Sequence, residues 1–483
     1  MKKLVGYALL MSLSAIAAVG VMLLKESIAT HKAEGRQIAF PLANLTEQTL
    51  NPAEWGKNFP RQYDGYRRTS EHTGTRYGGG GSESFSTDKL TQDPRLLTLF
   101  NGYAFALDYR ARRGHAYMLE DQRTTKRVTQ RPQTGACLHC HAANTLAYRK
   151  SGLENGAPGT LEEPLNSANG KTQLMKGFEI VSAMPYSNAT KRVEHPVACI
   201  DCHDPESMQL RVTRPGFLSG IARLAESQEP VPHLPSVEKW RSGDKKESYD
   251  PNQLASRQEM RSFVCGQCHT EYYCGPKATL FFPWNNGLKV EAIESYYDTY
   301  KFKDGHRFFD WKHADTGAEI LKAQHPEFEL WSQGVHARSG VACADCHMPY
   351  KREGAIKISD HWIRSPLLNI NNACQVCHHF PESELKTRVD IIQDRNHGLL
   401  LRAEDATVAL IKATSTAIKA GATEAQLETA REFQRKAQWR TDFVNAENSM
   451  GFHAPQETAR ILGEAIDYAR QGELEAEKLR PGK

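Results

Sequence analysis

Three features of the 483-residue sequence predict a mostly α fold with long C-terminal helices around a core that side chains alone do not fill. Ten of the 11 cysteines fall in five CxxC pairs, and each pair is followed directly by His. All five lie within the 242 residues from Cys137 to His378, whereas residues 382–420 hold no Pro and a single Gly. Composition is otherwise ordinary for a globular chain: 40% of residues are apolar before the 35 glycines are added. Lys and Arg number 61 against 57 Asp and Glu, a formal charge of +4. That balance excludes a polybasic or polyacidic tail and gives no reason to expect a nucleic-acid partner.

The motifs are CLHCH (Cys137, Cys140, His141), CIDCH (Cys199, Cys202, His203), CGQCH (Cys265, Cys268, His269), CADCH (Cys343, Cys346, His347) and CQVCH (Cys374, Cys377, His378). Residue frequencies allow about 0.01 such strings by chance. In CxxCH the two thiols bond to a haem c and the adjacent imidazole ligates its iron. Zinc ribbons and thiol redox sites also use CxxC, but neither explains a His after every pair. Five haems in 242 residues leave about 48 residues for each, too few to wrap them singly. The haems therefore pack against one another in an ordered chain, the 31-residue step from Cys343 to Cys374 marking an especially close pair.

Taken in order, residues 1–30 form the first segment. Lys2 and Lys3 precede 21 uncharged residues, Leu4 to Leu24. A signal-peptide core spans about 7–15 residues and a bilayer needs about 20, so length favours a retained anchor. Ser27, Ile28 and Ala29 keep a cleavage site open. Either way the rest is exported, a periplasmic location with residues 4–24 as the candidate tether.

Residues 31–380 form the haem-bearing region, with irregular, loop-rich segments between motifs. The run Gly78 to Gly81 lacks the strand before it and the Lys-Ser/Thr after it that a phosphate loop needs, and reads as a turn. Gly152 to Gly170, with Pro158 and Pro164, reads as a surface loop. Residues 381–483 form the last region. Leu385, Val389, Ile392, Leu399, Leu400, Val408, Ile411 and Ile418 suit one or two long helices. Gly421 stops the run, Thr423 with Gln426 forms a capping box, a second helix runs to about Asn448, and a third begins near Pro455. Such helices suit a homodimer interface; a cap folded onto the same subunit is the alternative.

Five of the 19 histidines are proximal ligands by motif, and composition does not select distal ligands from the other fourteen. Here the sequence resembles a known family. DKLTQDPRLLTLFNGYAF and RRGHAYML (88–119), CGQCHTEYY (265–273), KAQHPEFELW (322–331) and DHW (360–362) look like pentahaem cytochrome c nitrite reductase, the ammonia-forming enzyme. The similarity runs from about residue 50 to the C-terminus. It implies distal ligands His361 for the second haem, His115 for the third, His453 for the fourth and His336 for the fifth, leaving the first with an open site. His397, in the same helical region as His453, is the competing candidate.

The resemblance also implies a reacting pocket of Arg127, Tyr272 and His325. Reduction of nitrite to ammonium takes six electrons and eight protons. An Arg attracts the anion, and a His and a Tyr are sensible proton donors. Bland packing and solvation roles are the alternative for each. A Ca²⁺ site is implied beside the pocket, with side-chain oxygens of Glu271 and Gln324 and main-chain carbonyls of Tyr272 and Lys322, the oxygen ligands a hard cation prefers. The resemblance further implies a membrane quinol-oxidising multihaem cytochrome or a soluble cytochrome as electron donor.

One departure stands out. The family usually has CxxCK at the first motif, and this chain has His141. His139, inside the same motif, is poorly placed for ligation by attachment geometry. Two other classes remain: a pure electron carrier with five bis-His haems, and a related enzyme acting on hydroxylamine or sulfite. Cys274 is left over from the motifs and reads as a packing residue.

Overall fold

The computed structural model describes residues 2–34, 41–71, 74–78, 87–111, 113–354 and 356–480. The chain is 58% helix and 5% strand, with long C-terminal helices, as the sequence predicts. The first helix, Lys2–Glu34, stands clear of the body, and within it Val5–Thr30 is long and apolar enough to cross a membrane.

Around the first motif, ordinary packing dominates. The helix Thr145–Glu154 leaves the motif and crosses Ala168–Ala183 at glycine contacts. A Cβ on Gly177 would lie 1.7 Å from the Tyr148 carbonyl, and one on Gly135 would lie 2.1 Å from that of Val181, so no side chain fits at either crossing. The remaining strands are two small hairpins. Trp311–Lys312 pairs with Glu319–Ile320, and Tyr350–Glu353 with Ile356–Ser359 in the register Tyr350 to Ser359.

Two local expectations need correction. The segments between motifs are less irregular than they read: Ala168–Ala183 has 16 residues and Pro215–Glu226 has 12. Each has apolar residues on a helical stripe, such as Phe217, Ile221 and Leu224, which are fully buried. The predicted loop at 152–170 is shortened at both ends, because Gly152 lies in the last turn of the helix that ends at Glu154 and Gly170 lies in the first turn of the next, where Ser167 caps its N–H. Gly79 to Gly81 lie outside the described residues.

The C-terminal region is three helices, Glu382–Lys419, Glu424–Ala446 and Pro455–Lys478. Gly421 adopts φ +91°, a left-handed conformation suited to glycine, and ends the first. Thr423 and Gln426 form the capping box that starts the second. Small buried residues, Ala413, Ala430, Ala437, Ala469 and Ala476, let the helices approach closely. Trp439, Phe443 and Leu462 pack onto Tyr297, Phe308 and Leu321 of the middle region, so the bundle is seated on its own chain.

Candidate functional site

A cavity of about 1590 Å³ runs through the middle of the molecule. The last four motifs and four further histidines line it: His115, His336, His361 and His453. All eleven cysteines are unbridged. Each motif histidine lining the cavity faces one of the four. His203 and His361 have ring centroids 6.2 Å apart, His269 and His115 6.2 Å, His347 and His453 6.3 Å, and His378 and His336 6.2 Å. Two metal–nitrogen bonds of about 2.0–2.1 Å, with each ring centroid about 1.1 Å beyond its nitrogen, bring two imidazoles on one metal to about 6.2–6.4 Å. The spacing and the apolar cavity therefore fit a metal-centred macrocycle between each pair. His141 belongs to no such pair among the described residues. His397 stacks on Tyr77 at 4.9 Å and faces no motif histidine.

The motif turns are held locally. Asp201 accepts a hydrogen bond from the Ala198 N–H at 2.8 Å, and Asp345 does the same for Ala342 at 2.8 Å, closing the first turn of the second and fourth motifs. Asp201 also pairs with Arg214 at 2.9 Å, both side chains 0% exposed. Arg214 further donates to Asn144 at 2.5 Å and to the Ala142 carbonyl at 2.7 Å, while Gln267 donates to the Asp201 carbonyl at 3.0 Å. The guanidinium thus links the first two motifs, and the Gln267 side chain ties the third to the second.

At the first motif, His141 Nδ1 meets the Met118 carbonyl at 3.0 Å. Burial, with the Arg127 charge also contributing, holds this imidazole below its ordinary range, and the Met118 carbonyl pulls the other way. Arg127 lies over the Phe105 ring at 4.3 Å and is half-buried. Tyr272 is buried against Phe282, and burial raises its phenol well above the ordinary value, so it carries its proton. His325 is half-buried, its carbonyl accepting from the Glu327 N–H at 2.8 Å. His139 is fully buried among Tyr148, Phe178 and Phe282, a packing position that turns it away from ligation. Cys274 is half-buried and packs on the apolar cluster that holds Tyr272.

The segments 270–273 and 322–325 are stitched together at Glu271. Its carboxylate accepts from Gln324 N at 2.6 Å and from Tyr297 Oη at 3.0 Å. Glu329 accepts from Glu271 N, Thr270 Oγ1 and Trp284 Nε1 at 2.7–2.9 Å. The Lys322 ammonium pairs with Asp442 at 2.8 Å and the Lys322 N–H binds Asp310 at 2.8 Å. Burial raises Glu271 well above the usual carboxyl range and pushes Glu329 and Asp310 up to about 7. Three buried acids, Glu271, Glu329 and Asp442, with the half-buried Asp310, against a single buried ammonium suit a cation. No three His, Cys, Asp or Glu side chains converge as a metal cluster among the described residues, so a site here would draw on main-chain oxygens, as a hard cation allows.

Sequence reasoning did not reach Arg214, Met118, Glu447 or Glu329. Only the Asp in CIDCH and CADCH carried a local signal, its spacing from the residue before each motif.

The profile of the cytochrome c552 family matches residues 51–481. A cytochrome c-552 of Bacteroides fragilis is 36% identical over 430 residues, 88% of this chain and 76% of that protein. One of Aliarcobacter butzleri is 32% identical over 485 residues, covering 98% and 85%. Among solved structures, the catalytic subunit of cytochrome c nitrite reductase from Desulfovibrio desulfuricans, described for its two calcium sites, superimposes with a TM-score of 0.70. The two share 28% identity, over 91% of this chain and 88% of that one.

Proposed function

Since the chain belongs to the cytochrome c552 family, we propose that it reduces nitrite to ammonium, NO2⁻ + 6e⁻ + 8H⁺ → NH4⁺ + 2H2O, beside the first CxxCH motif. The observation that carries this reading is the asymmetry among the motifs. Four motif histidines face a second imidazole at 6.2–6.3 Å, and His141 faces none among the described residues. In this reading His203 with His361, His269 with His115, His347 with His453 and His378 with His336 would hold four haems, which would supply an electron relay. Cys137, Cys140 and His141 would hold the first haem, and no second histidine among the described residues faces His141 as one faces each of the other four. When bound there, haem c supplies the electrons and the coordination position at which N–O bonds break.

The chain's own residues do the rest. Arg127 draws the anion in and offsets its charge in a low-dielectric pocket. Tyr272, held as a neutral phenol, donates a hydrogen bond or proton, and His325 takes up protons and passes them on. The Met118 carbonyl fixes the His141 tautomer, a role with no counterpart where lysine stands in this position. Glu271 and Gln324, with carbonyls of Tyr272 and Lys322, would hold Ca²⁺, and the bound ion would fix Tyr272 and His325 relative to each other. The two calcium sites of the Desulfovibrio relative support that assignment.

The protein works in the periplasm as a homodimer in three parts, 1–30, 31–380 and 381–483. It is tethered through the helix that contains Val5–Thr30 and fed by a quinol-oxidising multihaem cytochrome or a soluble one. The test is a product assay on purified holoprotein with reduced viologen, comparing nitrite, hydroxylamine and sulfite, with electron paramagnetic resonance on the same sample. Ammonium from nitrite and one high-spin haem are expected; five low-spin haems and no turnover would sink the reading. His325→Ala should lower kcat by about 10²-fold or more while leaving the low-spin signals in place.

A further inference from the structure

The axial histidines differ in what holds the ring nitrogen that faces away from the metal. Four meet neutral main-chain oxygens: His141 with Met118 at 3.0 Å, His203 with Met208 at 3.0 Å, His347 with Arg364 at 3.2 Å and His361 with Ser359 at 2.9 Å. His269 has the Glu327 carboxylate at 3.9 Å. His453 stands apart. Its Nδ1 lies 2.6 Å from Oε1 of Glu447, whose side chain is 0% exposed. The two are in close charge contact without the alignment of a full hydrogen bond. Ser449 holds the carboxylate in place, its N–H donating to Oε1 at 3.0 Å and its Oγ to Oε2 at 2.9 Å, and such donors favour the ionised form.

A carboxylate behind a ligating imidazole makes the ring a stronger donor. A fixed negative charge in a dry interior also favours the more positive oxidation state of a nearby iron. We propose that Glu447 is a positioning residue that sets the potential of the fourth haem, placing it below the haems whose histidines meet only main-chain carbonyls. This rests on the reading that His347 and His453 ligate that haem. Glu447 then makes this station harder to reduce than the second, whose two histidines both meet main-chain carbonyls.

The experiment is a spectroelectrochemical titration of the holoprotein and of its Glu447→Gln and Glu447→Asp variants, with electron paramagnetic resonance at each potential. In Glu447→Gln one low-spin component should move to higher potential and change its g-values, while the others and the haem content stay fixed. Glu447→Asp, which keeps the charge, should stay nearer the parent. Unchanged potentials in Glu447→Gln, or a uniform shift of every component, would overturn the proposal. Should that variant fail to load haem, Ser449→Ala takes its place. By freeing one carboxylate oxygen it should move the same component to lower potential, and no movement overturns the proposal. His453→Met separates the two ideas. Survival of all four bis-imidazole signals there refutes the ligand assignment, whatever Glu447 does.

Discussion

The middle region and the C-terminal bundle solve the problem of an interior in opposite ways. The bundle is closed by side chains alone, with Leu410, Ala437, Trp439, Ile461 and Leu462 at 0% exposure. The middle keeps a cavity of about 1590 Å³ and spends buried charge, Arg214 with Asp201, on holding its motifs in register. Apolar packing is additive and forgiving of small changes, whereas a buried ion pair is intolerant of losing one partner. The bundle should therefore degrade gradually under mutation and the middle abruptly.

The sharpest break is Arg214→Ala. It strands Asp201 in the interior and cuts the link between the first two motifs, so a loss of about 3–5 kcal/mol is expected, read by denaturant unfolding together with haem content. In the bundle, Leu462→Ala should cost about 2–5 kcal/mol yet leave the haem absorption spectrum unchanged. A spectrum altered by Leu462→Ala but not by Arg214→Ala would reverse the comparison.

Glu404 probes where bundle and middle meet. Burial, reinforced by the Asp93 carboxyl, pushes its pKa up to about 9. The folded chain holds a proton that the unfolded chain releases near its ordinary value of about 4.3. This group therefore favours folding at low pH, and its contribution is lost as pH rises toward 9. Glu404→Gln keeps the shape without the titration, so a plot of stability against pH should flatten in that window. The smallest effect is Thr423→Ala, which removes the cap of the second bundle helix for about 1 kcal/mol in a thermal melt, with turnover unaffected.

The same contrast governs how much was legible in the sequence. The bundle was readable almost to the residue, because Gly421, Thr423, Gln426 and Pro455 are local signals acting on their own neighbours. The motifs were equally plain. The pairing of His115, His336, His361 and His453 needed a family resemblance, since it joins residues up to 158 positions apart, as with His203 and His361. Glu447, Arg214 and the Met118 carbonyl were not legible, because their roles arise only when distant segments meet. The helices at 168–183 and 215–226 were missed where turn-forming residues nearby outweighed a real helical period.

The first bundle helix belongs to both regions. Gln393 is where it meets Ser449, so the three turns from Glu382 to Ile392, about 16 Å, extend past that contact. Leu385, Arg388, Val389 and Ile392 line the cavity there, while Glu384 and Ile391 face solvent. Beyond the short helix Ile370–Ala373, the packing partner of those turns is whatever fills the cavity. A helix end without tertiary support frays, so amide exchange over residues 382–392 should be fast before haem attachment and slow after it. That short stretch is a built-in gauge of maturation, readable without a single turnover.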